Sequence, residues 1–528
     1  MTEPIQRLIE THATRHPDKA ALIFKRGAAW ETITFGQLFQ RSHLLARGLA
    51  SLRLQAGSRV ALMSPPSPDF FALCFALLKL NLVPVLVDPA IGLRNVTDCL
   101  NESQPEIFIG NALTHFIRRV YKWGKDSIRV NTTIPQLLRD TQHAPLITDH
   151  RLLITDAAII YTSGSTGLPK GAIFSRENFS AQLDMLRATF NIHEHEIDLP
   201  AFPLFALIDI LLGVTSVIPD MRFPAPASVN PAKVTEAIRR FSVTNMFASP
   251  ILLDHVADYA LARGLNLPSL KRIISAGAPA PVSVLERAAQ LLPHASIFGI
   301  YGATESLPIT VIDSREILDE TRHLSARGAG VCIGKPVDGA RVRIIQITDE
   351  PISQWDASLE LPANQVGEIT VKGGAVTKAY VARHEANRLA KIDDHGETVH
   401  RMGDLGYFDE RGRLWFCGRK SHRVETRHGT MFTEQIEGIF NAHPSVYRAA
   451  LVGVDGEPVL WVELEANARH ADKEQIKSEL IDLAKNHSQA SQVKIILFAK
   501  KFPTDVRHNS KIIRETLTKR AESQIPKG

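Results

Sequence analysis

The sequence predicts an α/β protein: a large N-terminal domain of doubly wound sheets with a small antiparallel subdomain, then a small mobile α+β C-terminal domain. Three observations predict it. Between about residues 230 and 302, short apolar runs alternate with amphipathic helical stretches, the pattern of a largely parallel sheet covered by helices. After about 340 that alternation gives way to strand-like segments, and from about 421 the chain is short and mixed. At 528 residues the chain also exceeds what one hydrophobic core usually supports.

In chain order, 69–89 is the most apolar stretch, but Lys79, Asn81 and Pro84 interrupt it. It reads as a buried helix followed by a strand, not a membrane span. Ile159-Ile160-Tyr161 and Ala172-Ile173-Phe174 read as strands flanking a loop. Residues 233–241 place Val234, Ile238 and Phe241 on one helical face. The run 245–249 is strand-like, and Pro250 suits the first turn of a helix over 252–262. The segment 272–275 is a strand closed by Gly277 and Pro279, 282–292 is a helix, and 296–301 is a strand ending in Gly302. Strands at 341–347 and 367–372 mark the antiparallel part. Apolar runs at 449–454, 459–464 and 493–499, a helix at 473–485 and another after Pro503 complete the chain. The domains are expected at 1–420 and 421–528, with the boundary near Gly418-Arg419-Lys420-Ser421.

Composition narrows the function. Hydrophobic residues at 44% and charged residues at 22% are ordinary for a globular protein, and a net charge of +5 is no concentrated basic face. Nucleic-acid binding is set aside. Four separated cysteines, with no paired spacing and no histidine cluster, argue against a disulfide framework or a structural zinc site. The N-terminus has no charged region leading into an apolar one, so a cytoplasmic location is expected.

The chemistry starts at Thr162-Ser163-Gly164-Ser165-Thr166-Gly167-Leu168-Pro169-Lys170. Two glycines let the backbone approach a ligand, amides and hydroxyls can cradle phosphate oxygens, and Lys170 adds a positive charge. It is not a Walker loop, since the lysine follows proline and both flanks look like strands.

This string resembles the phosphate-binding signature of the adenylate-forming superfamily of acyl-CoA synthetases, peptide-synthetase adenylation domains and luciferases. Further matches follow in order. Ser275-Ala276-Gly277-Ala278-Pro279 resembles the adenine-edge motif. Tyr301-Gly302-Ala303-Thr304-Glu305 resembles the motif that stacks on adenine and helps hold magnesium, and Arg401-Met402-Gly403-Asp404 resembles the ribose motif. Gly418-Arg419-Lys420 resembles the start of a hinge, and Lys511 falls where the C-terminal catalytic lysine lies. The resemblance implies ATP and Mg²⁺, with Glu305 and the Thr166 hydroxyl at the metal. It places Asp404 at the ribose, Arg419 at ribose or phosphate, and Lys511 across the carboxylate and α-phosphate. A water-excluded contact of that last kind is worth ~3–4 kcal/mol in the transition state. Ser421 stands where the family commonly has Asp or Lys at the hinge, and a small residue can serve there.

A second resemblance concerns the product. CoA ligases of the superfamily often carry an aromatic-Pro-Leu-Phe-His string, and here Phe202-Pro203-Leu204-Phe205-Ala206 ends in alanine. That string, 217–221, 244–247, Glu305-Ser306-Leu307-Pro308 and 506–512 are similar to the β-lactone synthetases of bacterial long-chain olefin biosynthesis. The resemblance implies that a 2-alkyl-3-hydroxy fatty acid is adenylated and its own 3-hydroxyl then closes a four-membered lactone. It also implies association with neighbouring enzymes of that pathway. An apolar pocket is expected to draw on Phe202, Phe205, Leu207 and Met246, beside Ala206. His195, His422 and His428 are candidate bases by residue type alone. Three readings stay open: β-lactone synthetase, fatty acyl-CoA or acyl-AMP ligase, and a non-catalytic nucleotide-binding relative.

Overall fold

A computed structural model describes residues 4–139, 141, 155–162, 169–223, 226–504 and 512–525. The larger of its sheets has 14 strands among the described residues. Its centre is parallel, in the order Ala20–Arg26, Thr215–Val217, Ile197–Pro200, Asn245–Ala248, Arg272–Ser275 and Ser296–Ala303. Beyond Ser296–Ala303 it turns antiparallel, through Ser306–Asp313, Val331–Pro336, Leu414–Arg419, Glu397–Phe408, Gly367–Lys372 and Arg341–Ile345. The expected antiparallel part is therefore continuous with the doubly wound sheet. The join is at Gly334 (φ 86°), where a side chain would strike the Val311 carbonyl and the register shifts.

The smaller sheet has six strands: Val130–Thr132, Ile107–Gly110, Arg59–Met63, Val83–Leu86, Asp156–Thr162 and Lys170–Ser175. All are parallel except the last, which returns antiparallel with Thr162 opposite Lys170. A core packs between the two sheets around the helices Phe35–Ala50, Pro68–Lys79 and Pro203–Leu212. The second of these is the apolar stretch read as a buried helix. Ser67 Oγ accepts from the Phe70 amide, Pro68 sits in the first turn, and every residue from Phe70 to Leu77 is buried.

Two elements depart from expectation. Ser296–Ala303 runs through Gly302 instead of ending there, because the missing side chain lets Ser306 and Leu307 close a tight hairpin onto it. The N-terminal pair Ala20–Arg26 and Ala29–Thr34 forms the far edge of the larger sheet, which no local pattern announced. The chain's last part is α+β: Val446–Val454 and Glu457–Leu464 antiparallel, Ile495–Ala499 parallel to the second, with Thr433–Asn441, Lys473–Lys485 and Arg514–Glu522 as helices. It has its own apolar core around Ile439, Phe440, Leu460 and Leu480. No helix among the described residues is long and apolar enough to cross a membrane.

Candidate active site

Ligands of doubly wound sheets gather beyond the carboxyl ends of the strands. Here the strands ending at Ser275 and Ala303 deliver Gly277, Ala278, Pro279, Tyr301, Gly302, Ala303, Thr304 and Glu305 to one cavity of about 2270 Å³. Gly277 has φ 95°, a backbone state that side chains resist, and it turns the chain away from the strand end. Thr304 and Glu305 form the two-residue turn between Ser296–Ala303 and Ser306–Asp313.

Asp404 and Arg419 are cross-strand partners on Glu397–Phe408 and Leu414–Arg419, and they pair at 2.9 Å. Tyr301 Oη donates to the other Asp404 oxygen at 2.7 Å. The Asp404 carboxylate holds the Arg419 guanidinium above its usual pKa, and burial followed by the same carboxylate pushes the Tyr301 phenol up. Three residues named from separate motifs thus form one hydrogen-bonded group. Arg401, three residues before Asp404 on the same strand, serves the framework: its side chain pairs with that of Glu368, both about 1% exposed, and donates to the Thr348 carbonyl. Lys420 joins the same carboxylate at 3.1 Å.

A second group surrounds Glu305, which is buried. Tyr380 Oη donates to Glu305 Oε1 at 2.6 Å, and the Thr377 amide donates to the Glu305 carbonyl at 2.8 Å. The ammonium groups of Lys170 and Lys391 each lie 5.3 Å from the Tyr380 ring centre. Lys391 Nζ donates to the Thr377 carbonyl at 2.5 Å, and burial, aided by the Lys170 charge and opposed by Glu305, lowers its pKa to about 7. His400 Nδ1 donates to the Ala390 carbonyl at 3.0 Å. Burial and then the Lys391 charge keep that imidazole well below its ordinary range. Thr377, Tyr380, Lys391 and His400 were missed in the sequence. Tyr380 and Lys391 belong to no recognisable spacing, although a lysine between Ala390 and Ile392 at a strand start was the one available signal.

Apolar residues line the cavity's other end, among them Phe70, Phe75, Leu183, Leu207 and Ile208. Phe202 and Phe205 are there too, with the Phe205 ring stacked on Phe247 at 3.5 Å between centres. Two expected pocket residues are corrected. Ala206 has no exposed surface and packs into the core between the sheets with Ile210, because it lies a helical step around from Phe205. Met246 points to the opposite face of its strand, into the core with Leu199 and Ile273, while Phe247 takes the cavity face.

The loop residues Ser163, Gly164, Ser165, Thr166 and Gly167, and Lys511, lie outside the described residues, and of Thr162 only the backbone is described. His195 and His428 are exposed. His422 lines the cavity, and burial beside Arg514 and Arg419 lowers its pKa to about 4, leaving it neutral and weakly basic.

Comparison with known proteins agrees with this geometry. The model of a family described as AMP-binding enzyme matches residues 9–381. The chain is 42% identical to the olefin beta-lactone synthetase of Xanthomonas campestris pv. campestris, covering 96% of this chain and 95% of that protein. It is also 42% identical to the protein of the same name from Stenotrophomonas maltophilia, over 98% and 97%. The fold is similar to the O-succinylbenzoate coenzyme A synthetase of Bacillus subtilis in complex with AMP (TM-score 0.77, 21% identity, 98% of each chain). It is similar too to an amide bond synthetase of Marinactinospora thermotolerans (TM-score 0.80, 21% identity, covering 98% of this chain and all of that one).

Proposed function

From the premise that the chain belongs to the family of AMP-binding enzymes, we propose that it makes a β-lactone from a long-chain 2-alkyl-3-hydroxy acid. ATP and the acid give an acyl-adenylate and pyrophosphate; the acid's own 3-hydroxyl then attacks the activated carbonyl, and AMP leaves. The observation that carries this reading is the 42% identity over nearly the whole chain to two olefin beta-lactone synthetases. The cavity supports it, since Asp404, Glu305 and Arg419 and apolar residues such as Phe70, Phe75 and Leu207 line one continuous space.

In this reading Gly277, Ala278 and Pro279 border adenine, and Tyr301 offers it a π-face while its hydroxyl orients Asp404. Asp404 takes the ribose hydroxyls, and Arg419 balances its charge and reaches toward phosphate. Lys170, Thr162, Ser163, Gly164, Ser165, Thr166 and Gly167 hold the β- and γ-phosphates. Lys511 bridges the carboxylate and α-phosphate. Residues 421–528 act as a lid that closes for adenylation, hinged at 418–421.

Mg²⁺ fits the Glu305 site. Tyr380 donates to one carboxylate oxygen and Glu305 lines the cavity, and a carboxylate is a hard donor of the type Mg²⁺ takes together with substrate phosphates. Among the described residues no cluster of three ligating side chains exists, which suits a metal held mainly by the nucleotide. When bound, Mg²⁺ would neutralise phosphate charge. The protein is proposed to work in the cytoplasm beside enzymes that make the hydroxy acid and consume the lactone.

The test is product formation from ATP, Mg²⁺ and a long-chain 2-alkyl-3-hydroxy acid without CoA. A β-lactone and AMP are expected. If product forms only when CoA or a carrier thiol is added, the chain is an acyl-CoA or acyl-AMP ligase instead. No pyrophosphate from any acid would make it a non-catalytic relative.

A further inference from the structure

The helix Ala112–Tyr121 is built inside out. At about 100° per residue, Leu113, Phe116, Ile117 and Val120 gather on one side, and His115, Arg118 and Lys122 follow on the other. A helix so patterned normally buries its apolar side. Here Leu113, Phe116 and Val120 are 64%, 65% and 58% exposed. Of the apolar side only Ile117 packs inward, against the cluster of Phe108 and Trp123. The polar side packs beside it: His115 Nε2 meets the Thr132 carbonyl at 3.0 Å, and its ring stands edge-on to buried Phe108. The Arg118 guanidinium lies 5.6 Å over the Phe108 ring and donates to the Trp123 carbonyl.

Both ends lock this orientation. An Asn111–Thr114 capping box starts the helix, Lys122 ends it in a left-handed conformation, and Trp123 is buried immediately after. The apolar stripe therefore faces outward by construction. Cations surround it. Between 112 and 129 there are five Lys or Arg and one acid, Asp126. Arg119, Lys122, Lys125 and Arg129 are exposed, and among the described residues none of the four enters an ion pair. Thr114, on the first turn, is among the residues that line the active-site cavity.

We propose that this face docks on an anionic lipid surface. Leu113, Phe116 and Val120 enter the headgroup boundary while Arg119, Lys122, Lys125 and Arg129 meet lipid phosphates. Buried apolar area and the attraction of cations to anionic lipid together set the strength of attachment of an interfacial helix, and this face supplies both. A second copy or a protein partner would also cover the stripe, but the exposed cations on its border favour a surface of phosphates. Docking brings the part of the cavity lined by Thr114 toward the lipid that dissolves a long-chain acid. That last consequence rests on the long-chain substrate proposed above; the docking itself does not.

The test is flotation of the purified full-length chain with phosphatidylcholine vesicles, with and without phosphatidylglycerol, at low and high salt. The protein is expected to float with the anionic vesicles and to detach as salt rises. Phe116→Glu with Val120→Glu is expected to bind about tenfold less or worse, and Arg119→Gln with Lys122→Gln and Lys125→Gln to lose the preference for phosphatidylglycerol. Both variants change exposed side chains, so their melting temperature and their turnover of a short, water-soluble 3-hydroxy acid are expected to hold. Wild-type protein that stays in the aqueous phase with every vesicle, or a glutamate variant that floats like wild type, overturns the proposal. So does a concentration-dependent dimer in sedimentation that the glutamate variant dissolves, because the stripe would then belong to a second copy. Flotation requires no turnover, so its result is independent of which product the enzyme makes.

Discussion

The acyl pocket's helix is tied to the sheet by a pair of buried acids, and their shared proton makes a sharp prediction. Asp198 lies on Ile197–Pro200 and Asp209 on the pocket helix Pro203–Leu212; they are 2% and 8% exposed. Each carboxyl acts on the other's protonation, Asn245 donates to Asp198, and Ser216 Oγ donates to Asp209 at 2.8 Å. Arg272 and Glu196 are the nearest other charges, and Arg272 is already paired with Glu196. Burial raises Asp198 from 3.8 to about 7 and, with the Asp198 charge, raises Asp209 well above its usual value. Since the folded pKa exceeds the unfolded one, the folded chain binds a proton that the unfolded chain releases. Stability from this pair is full below about pH 4 and is lost as pH rises through about 7. A shift of that size corresponds to at most about 4 kcal/mol. Asp209→Asn keeps the bond to Ser216 and offers an amide donor to an ionised Asp198, removing the need for the proton. Thermal melting between about pH 5.5 and about pH 8.5 should fall more steeply for wild type, with the variant the more stable at the alkaline end. The same series of KM values for a long-chain acid should rise with pH in wild type alone, as the pocket helix loosens. Identical pH slopes for the two proteins would show the pair already ionised in the folded state and refute the reasoning.

Two further outcomes are expected at the nucleotide end. Asp404→Asn removes the charge that Tyr301 and Arg419 both face. With a charged hydrogen bond worth ~1.5–3 kcal/mol, the KM for ATP in pyrophosphate release should rise at least about tenfold, and an unchanged KM would move the ribose elsewhere. Lys391→Met removes a buried amine whose pKa has fallen to about 7. The unfolded chain holds that proton more tightly, so the variant should melt higher at neutral pH yet release pyrophosphate more slowly. Full activity would take Lys391 out of the phosphate end.

Much of the site was legible because its chemistry is local. The loop at 162–170, the Tyr301–Glu305 turn and Asp404 are short strings whose residue types suit phosphate, metal and ribose, and the strand–helix alternation around 230–302 is periodic enough to read directly. Other features were settled only by long-range packing. Asp404 meets Arg419 because two antiparallel strands set them in register, and Tyr301 reaches Asp404 from about a hundred positions earlier in the chain. Lys391 and His400 acquire their altered protonation from burial beside Lys170 and Glu305, and no local string carries burial. Ala206 and Phe205 are neighbours in sequence but face a core and a cavity, since 100° of helix separates them. The helix Ala112–Tyr121 is the clearest case. Its amphipathic pattern is plain in the sequence, but which side meets solvent was decided by Phe108 and Thr132, whose ring and carbonyl claim the polar face. Pattern and local chemistry are properties of the chain, whereas orientation, register and burial exist only once distant segments have packed.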